Sequence, residues 1–422
     1  MDISQQPATS NQQPATSNQQ PATHFSYCLN VHPGESLAQV RQAISSHVPA
    51  IHKGLSPHRN AADARAPFGL GLRIARKAAD ELKDPAALDA FRELLQSLNL
   101  YTFTINGFPY GAFHQTRVKE NVYAPDWRTP ERFQYTRDLF DLLAALLPDD
   151  TAGSVSTVPL SYGAWPLSET DRAAMRKHVC DLALHLSRIE AETGKLLHLG
   201  LEPEPDCTLE TTPQTLQWFK DELFAKGAAE LAHAAGLIPN EAETLLRRHI
   251  GVCFDTCHVA MQFEDPAAAM RSLVREGIRI SKIQLSAALE TDAARISHEA
   301  LSAFDDGVYL HQMKSVKGHA WPDIPAWRAA PDPGAGTLRI HCHVPLHWAG
   351  DDLLKSTRHT LTPAFRDALH ESACEHVEVE TYTFDVLPAA LRTGNVEQDM
   401  IHECDWALRT LFEDRKSAVP CR

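Results

Sequence analysis

The sequence lacks a hydrophobic run long enough to cross a membrane, and it lacks a surplus of basic residues. None of its apolar stretches reaches about 18 residues, the length that marks a candidate transmembrane helix. Its 40 lysines and arginines stand against 54 aspartates and glutamates, which gives a formal net charge of −14. Nucleic acids and anionic lipid surfaces favour basic proteins. The sequence therefore predicts neither a membrane span nor a nucleic-acid partner.

The sequence also lacks the cysteine pairs of a disulfide framework or a zinc finger. Its nine cysteines are an odd number, scattered along 422 residues, and several lie inside predicted strands. This usage is typical of free buried thiols in a reducing compartment, so we expect a cytoplasmic protein. The amino terminus lacks the basic start and apolar stretch of a secretory signal.

The chain divides into a low-complexity tail and one long globular region. Residues 1–23 repeat the sequence Q-Q-P-A-T-S-N and are almost free of large apolar groups, so we expect them to be disordered. We predict a single domain over residues 24–412, followed by a C-terminal tail over residues 413–422. The 43% hydrophobic content is sufficient for a sizeable core.

Strand-like and helix-like patterns alternate along residues 24–412. One amphipathic helix is predicted from Ser168 to Ile189, with a capping motif at its start. Eight strands alternating with helices predict a (β/α)₈ TIM barrel, with an insertion over residues 287–337. No glycine-rich phosphate loop follows the first strand, which disfavours an open doubly wound sheet. Residues 67–74 could form a ninth strand or replace one of the eight. The eight predicted strands are 25–31, 101–108, 154–161, 196–202, 251–258, 280–286, 338–345 and 376–382.

Five of these strands end in polar side chains that alternate with buried aliphatic ones. In a parallel barrel the carboxyl ends of the strands meet at one rim, where the active site forms. A single strand-end carboxylate is more often a helix cap, and a single strand histidine is more often a satisfied core residue. Several at one rim instead predict an oxygen- and nitrogen-rich site for Mn²⁺, Mg²⁺ or Zn²⁺. The predicted metal ligands are Glu202, Asp255, Gln284, His341, His343 and Glu380.

A second group of candidates lies in the aromatic segment that follows the strand near residue 106. This segment could be a loop packed on its own aromatic side chains, but we favour the wall of a pocket at the same rim. Such walls suit a sugar-like or prenyl-like ligand. The predicted substrate-binding residues are Asn106, Phe108, Tyr110, His114, Lys119 and Trp127.

Several long motifs carry a resemblance to a known family. L-E-P-E-P, C-F-D-T-C-H, K-I-Q-L-S and E-V-E-T-Y-T follow one another as in the xylose-isomerase-like barrels, which bind divalent metals. With N-G-F-P-Y-G-A-F-H and H-C-H-V-P-L, the chain more closely resembles the EboE family, the barrel proteins of the ebo metabolite-traffic gene cluster. The similarity extends from about residue 26 to 412.

The resemblance implies metal ligands at Glu202, Asp255, His258 and Glu380. Gln284 stands where sugar epimerases carry a histidine, and H-C-H at 341–343 offers histidines one predicted strand later. The resemblance also implies a role in making or moving a secondary-metabolite precursor, with proteins of the same gene cluster as partners.

Three functions follow as hypotheses. The first is a metal-dependent isomerase or epimerase for a sugar- or cyclitol-like molecule, with Glu202 or Glu380 as the base and His258 and His114 orienting hydroxyls. The second is a small-molecule carrier without turnover. The third is a phosphodiester hydrolase, which the net charge disfavours.

Overall fold

The structure is a computed structural model that describes residues 23–55, 66–112, 119–384 and 386–412. It contains thirteen strands, of which eight form the barrel. In chain order the strands are β1 (His24–Tyr27), β2 (Phe68–Arg73), β3 (Leu100–Asn106), β4 (Gly153–Thr157), β5 (Leu197–Leu201), β6 (Ile250–Asp255), β7 (Arg279–Leu285), β8 (Leu289–Asp292), β9 (Met313–Ser315), β10 (Ala320–Trp321), β11 (Thr337–Ile340), β12 (Lys355–Ser356) and β13 (His376–Val379).

Fourteen α-helices connect or cover these strands. A π-helical segment, Trp218–Gly227, continues α6 into α7. The helices are α1 (Leu37–Leu55), α2 (Arg76–Glu81), α3 (Pro85–Ser97), α4 (Pro130–Leu146), α5 (Glu169–Thr193), α6 (Thr212–Gln217), α7 (Ala228–Ala235), α8 (Pro239–His249), α9 (Thr256–Met261), α10 (Pro266–Arg275), α11 (His298–Ser302), α12 (Ile324–Ala329), α13 (Pro363–Glu371) and α14 (Val396–Leu411). Within the described ranges, no helix is both long and apolar enough to cross a membrane.

The barrel strands are parallel and follow the order β1-β13-β7-β6-β5-β4-β3-β2. A parallel bridge between Cys28 and Gly71 joins the first strand to the second and brings the two edges together. The predicted (β/α)₈ barrel is therefore confirmed. Its strand β5 and the preceding helix follow from local sequence: Ser168 and Asp171 form a capping box at the start of α5, and Gly194 ends it in the left-handed conformation.

One strand assignment is wrong. The segment 338–345 is not a barrel strand, because β11 pairs antiparallel with β8 and β9 in a separate five-stranded sheet. The barrel position is taken by 67–74, which supplies β2. The predicted insertion forms most of the separate sheet, whose strand order is β10-β9-β11-β8-β12.

The barrel interior contains an ion pair where TIM barrels usually hold branched aliphatic side chains. Lys282 Nζ lies 2.5 Å from Glu378 Oε2, and both side chains are fully buried. The Glu378 carboxylate lies against Gly71, where a Cβ atom would be 1.2 Å from Glu378 Oε1. Lys282 lies on β7, three residues before its end at Leu285, and Glu378 lies on β13, one residue before its end at Val379. The pair therefore lies below the carboxyl rim.

Candidate metal centre

Three carboxylates from three barrel strands converge at the carboxyl rim. Asp255 ends β6, while Glu202 and Glu380 directly follow β5 and β13. One oxygen from each lies within 4.8 Å of the other two, and all three side chains are buried. Parallel strands bring these positions together because their carboxyl ends share one rim.

The carboxylates differ in their hydrogen bonds. Glu380 Oε1 accepts from Asn30 Nδ2 at 2.6 Å and from Asn106 Nδ2 at 2.9 Å. Asp255 Oδ1 accepts from Ser286 Oγ at 2.7 Å and from the His258 backbone N–H at 3.0 Å. Glu202 Oε2 and Asp255 Oδ2 have no hydrogen-bond partner although they are buried. Such oxygens are costly unless a ligand satisfies them.

The pKa shifts follow from burial and mutual repulsion. Burial raises the pKa of Glu202 well above its ordinary value, and the charges of Glu380 and Asp255 raise it further. Burial and the Asp255 charge likewise raise the pKa of Glu380. Burial also opposes ionisation of Asp255, but the imidazoles of His258 and His343 and the Ser286 hydrogen bond lower its pKa overall. A divalent cation bound among these crowded carboxylates would offset their mutual repulsion.

The imidazoles of His258 and His343 border the carboxylates. His258 Nδ1 lies 3.1 Å from the Pro203 carbonyl oxygen, and His343 Nδ1 lies 2.7 Å from the Glu380 carbonyl oxygen. A carbonyl oxygen only accepts, so each Nδ1 carries the proton and each Nε2 keeps its lone pair. His343 Nε2 is buried and has no partner. This arrangement, in which the second nitrogen is held by a carbonyl, is the one that metal-binding histidines adopt.

Apart from Asp255, these groups line one cavity at the rim. Its volume is about 70 Å³. One buried water needs roughly 10–15 Å³, so the cavity has room for several. Its aromatic side chains are Phe108, Tyr123, Tyr309 and Tyr382. Its polar lining consists of Asn30, Asn106, Lys119, Glu202, Glu204, His258, His341, His343 and Glu380. The cavity is therefore aromatic on one part and rich in oxygen and nitrogen donors on another.

The predicted substrate-binding residues divide into two groups. Asn106, Phe108 and Lys119 line the cavity, and Lys119 Nζ is held by Asp323 and the Tyr309 carbonyl, both at 2.7 Å. Tyr110 instead packs edge-on against Tyr135. Trp127 is fully buried and donates to Thr157 Oγ1 at 3.2 Å. His114 lies outside the described residues.

Gln284 and the histidine pair also lie differently from the expectation. Gln284 Oε1 accepts from the Cys253 thiol at 2.7 Å, and its side chain does not line the cavity. His341 and His343 do line it, although β11 ends at Ile340 and both follow the strand. The histidines reach the barrel rim from the antiparallel sheet because the insertion lies over it.

Several cavity residues were not predicted from the sequence. Glu204, Tyr309 and Tyr382 line the cavity, and Gln312 supports His341 from behind. Glu204 has a detectable signal, because it lies two residues after Glu202 in L-E-P-E-P. Gln312 and Tyr309 lie in the insertion, where no strand periodicity marks them.

The donor set fits a divalent cation. Carboxylate oxygens suit Mg²⁺ and Mn²⁺, and added imidazole nitrogens suit Zn²⁺, so the donors alone do not select one metal. The groups whose ligand atoms lie within 4.8 Å of one another include Glu202 with Asp255 and Glu380, and Asp255 with His258 and His343.

Comparison with known proteins identifies no family by sequence. No protein-family model matches the chain, and no curated protein matches it significantly. Solved structures that resemble it include the IolI protein with a bound zinc atom, at 12% identity over 92% of this chain and 98% of that one, with a TM-score of 0.45.

Two further similar structures are enzymes by description. One is the probable 3-DHS dehydratase AsbF of Bacillus anthracis, which is involved in petrobactin synthesis; it shows 13% identity over 92% and 99% of the two chains and a TM-score of 0.42. The other is the 3-keto-D-glucoside 4-epimerase YcjR of E. coli, with 13% identity over 81% and 89% and a TM-score of 0.38. At these values the assignment of the barrel depends on the strand order itself.

Proposed function

We propose that this protein is a divalent-metal-dependent isomerase or epimerase that acts on a sugar- or cyclitol-like small molecule. The observation that carries the proposal is the convergence of Glu202, Asp255 and Glu380 at the barrel rim, with buried oxygens that lack partners. In this proposal His343 supplies the nitrogen ligand, because its free Nε2 belongs to the group around Asp255.

Proton transfer is assigned to Glu202. A divalent cation held by Glu202, Asp255, Glu380 and His343 would polarise a carbonyl or hydroxyl oxygen of the ligand. Glu202 Oε2 lacks a hydrogen bond, whereas two asparagine amides hold Glu380 Oε1. Glu202 can thus accept the proton of the hydroxyl-bearing carbon beside a carbonyl and return it to the former carbonyl carbon. The hydroxyl proton moves to the former carbonyl oxygen in the same conversion, which gives the isomer. Asn30 and Asn106 keep the Glu380 carboxylate in place.

The cavity supports a small polyol as the ligand. Aromatic faces cover the apolar side of a sugar ring, and Asn106 lies at the polar side. The resemblance to EboE extends the proposal to a secondary-metabolite precursor handled with proteins of the same gene cluster, in the cytoplasm.

The first test is metal content by elemental analysis of protein purified without chelator. We expect bound Mn, Mg or Zn in the wild type and its loss from this centre in Asp255→Ala and Glu202→Gln, since each substitution removes a ligand oxygen. Asp138→Asn is the matched control, because Asp138 lies on the outer helix α4 and pairs with Arg76 of α2. Metal content that is equal in all four proteins would contradict the ligand assignment.

Activity separates the enzyme from the carrier. Sugars and cyclitols are incubated with the metal-loaded protein, and isomers are detected by chromatography. Turnover that disappears in Glu202→Gln supports the proposal. Tight binding of a small molecule without turnover would instead support a non-catalytic carrier with the same pocket.

A further inference from the structure

Two cavity histidines face each other through nitrogen atoms that both lack a proton. His258 Nε2 lies 3.1 Å from His341 Nε2, and both side chains are buried. The Pro203 carbonyl holds the proton of His258 on Nδ1. A hydrogen bond between the two Nε2 atoms needs a proton on one of them, so the protonation of His341 decides the nature of the contact.

Gln312 determines that protonation. Its Nε2 lies 3.2 Å from the Pro205 carbonyl oxygen, which only accepts, so the amide nitrogen faces Pro205. The amide oxygen therefore faces His341 Nδ1, at 2.8 Å, and accepts its proton. His341 Nε2 consequently presents a lone pair to the lone pair of His258.

Two facing lone pairs repel unless a cation lies between them or beside them. Two imidazole nitrogens bound to one tetrahedral zinc ion, at about 2.0–2.1 Å each, lie roughly 3.3 Å apart. The observed 3.1 Å is close to this spacing.

Glu204 supplies a third donor to the pair. One carboxylate oxygen of Glu204 and one ring nitrogen each of His258 and His341 lie within 4.8 Å of one another, and Glu204 Oε1 lies 3.9 Å from His341 Nδ1. Glu204 Oε1 accepts from Tyr123 OH at 2.7 Å, while Glu204 Oε2 is buried without a partner. Tyr123 thus orients the carboxylate and leaves one oxygen for a ligand.

We propose that Glu204, His258 and His341 form a second metal site, of the Zn²⁺ class, beside the carboxylate centre. Two imidazoles and one carboxylate are a usual zinc donor set, with a fourth position left for water or substrate. All three residues line the cavity, so that fourth position faces the ligand space. This site takes no ligand from Glu202, Asp255, Glu380 and His343, so loss of a ligand at one site leaves the donor set of the other complete.

The test uses chelator-stripped full-length protein titrated with zinc chloride by calorimetry, with bound zinc counted by elemental analysis. We expect two zinc ions per chain in the wild type, one in His341→Ala and one in Asp255→Ala. His249→Ala is the matched control and should keep two, since His249 is also buried but bonds the Leu197 carbonyl oxygen at the start of β5.

The outcomes distinguish the two sites. Zinc content that is unchanged in His341→Ala would overturn the second site. One zinc in the wild type, lost in His341→Ala and kept in Asp255→Ala, would support this site and contradict the carboxylate centre. The reverse pattern would overturn this site alone.

Gln312→Leu provides a test that leaves all three donors in the chain. It removes the acceptor of the His341 Nδ1 proton, so we expect one zinc ion to bind about 10–100-fold more weakly while the other is unaffected. Unchanged zinc affinity at both sites in Gln312→Leu would contradict the proposal. This variant therefore decides the question even if His341→Ala does not fold.

Discussion

Glu378 occupies the space that a side chain at position 71 would fill. Lys282 holds its carboxylate at 2.5 Å inside the barrel, where neither group reaches water. A buried ion pair is costly to break because the remaining charge has no partner. Gly71 thus provides room for the pair while its strand takes part in closing the barrel.

Gly71→Ala should therefore destabilise the protein. A Cβ atom at 1.2 Å from Glu378 Oε1 must displace the carboxylate from Lys282. Overpacking of this kind costs about 1–3 kcal/mol, and the weakened ion pair adds to it. Urea unfolding measures the difference. Gly111→Ala is the control, because a Cβ atom there would meet no atom within 4 Å; an equal loss in both variants would contradict the explanation.

At the residue scale, the sequence predicts side chains at strand ends better than side chains in loops. Glu202, Asp255 and Glu380 could be placed together because strand alternation and a shared rim fix their positions. Gln312 could not, because its contact with His341 depends on how the insertion lies over the barrel. Trp127 was predicted to face the pocket but is buried in the core, because an aromatic segment has the same sequence pattern in both places.

At the element scale, the wrong strand shows why alternation alone is ambiguous. Residues 338–345 alternate like a half-buried strand, and β11 is one, but in an antiparallel sheet. The true barrel strand β2 contains Gly69 and Gly71, and glycine lowers strand propensity, so its pattern was weaker. Pairing partners lie far apart in the chain, and local periodicity does not identify them.

Helix α14 joins the two segments that carry the last site residues. Glu403 Oε1 accepts from the Leu346 backbone N–H and from Thr381 Oγ1, both at 2.8 Å. Leu346 follows the histidine pair and Thr381 follows Glu380. Burial raises the pKa of Glu403 from 4.5 to about 8, so the folded protein holds this group neutral at pH 6.

This shift predicts a pH dependence of stability. The folded pKa is raised, so the Glu403 contribution is complete below pH 4.5 and is lost as pH rises towards 8. The free energy of unfolding should fall in this window by at most about 1.4 kcal/mol per pH unit from this one group. Glu403→Gln removes the titratable group. Its free energy of unfolding, measured with denaturant, should therefore change less between these pH values. Parallel profiles would contradict the assignment.

At the scale of the whole molecule, crowded carboxylates lie at the rim of a chain whose formal net charge is −14. A cation that binds only the folded chain adds to its stability by mass action. The (β/α)₈ architecture and the three strand-end carboxylates could be predicted because they follow from strand–helix alternation and a shared rim. The sheet of the insertion and the contact of Gln312 with His341 could not, because they arise from contacts distant in sequence.

Metal addition should accordingly stabilise the chain. We expect the free energy of unfolding to rise by about 2.7 kcal/mol when a divalent cation is present at a hundred times its dissociation constant, compared with chelator. The increase should become smaller in Asp255→Ala and stay unchanged in Asp138→Asn. Denaturant unfolding with and without chelator measures it, and an equal increase in all three proteins would indicate cation binding elsewhere.

The antiparallel sheet over the rim has a consequence for movement. Lys314 on β9 pairs with Asp206 and Glu210 at 2.6 Å, and both acids lie in the segment that follows β5. Any opening that lifts this sheet from the barrel must separate those charges and part His341 from His258. Such an opening would therefore change access to the cavity from that side and the contact between the two histidines together.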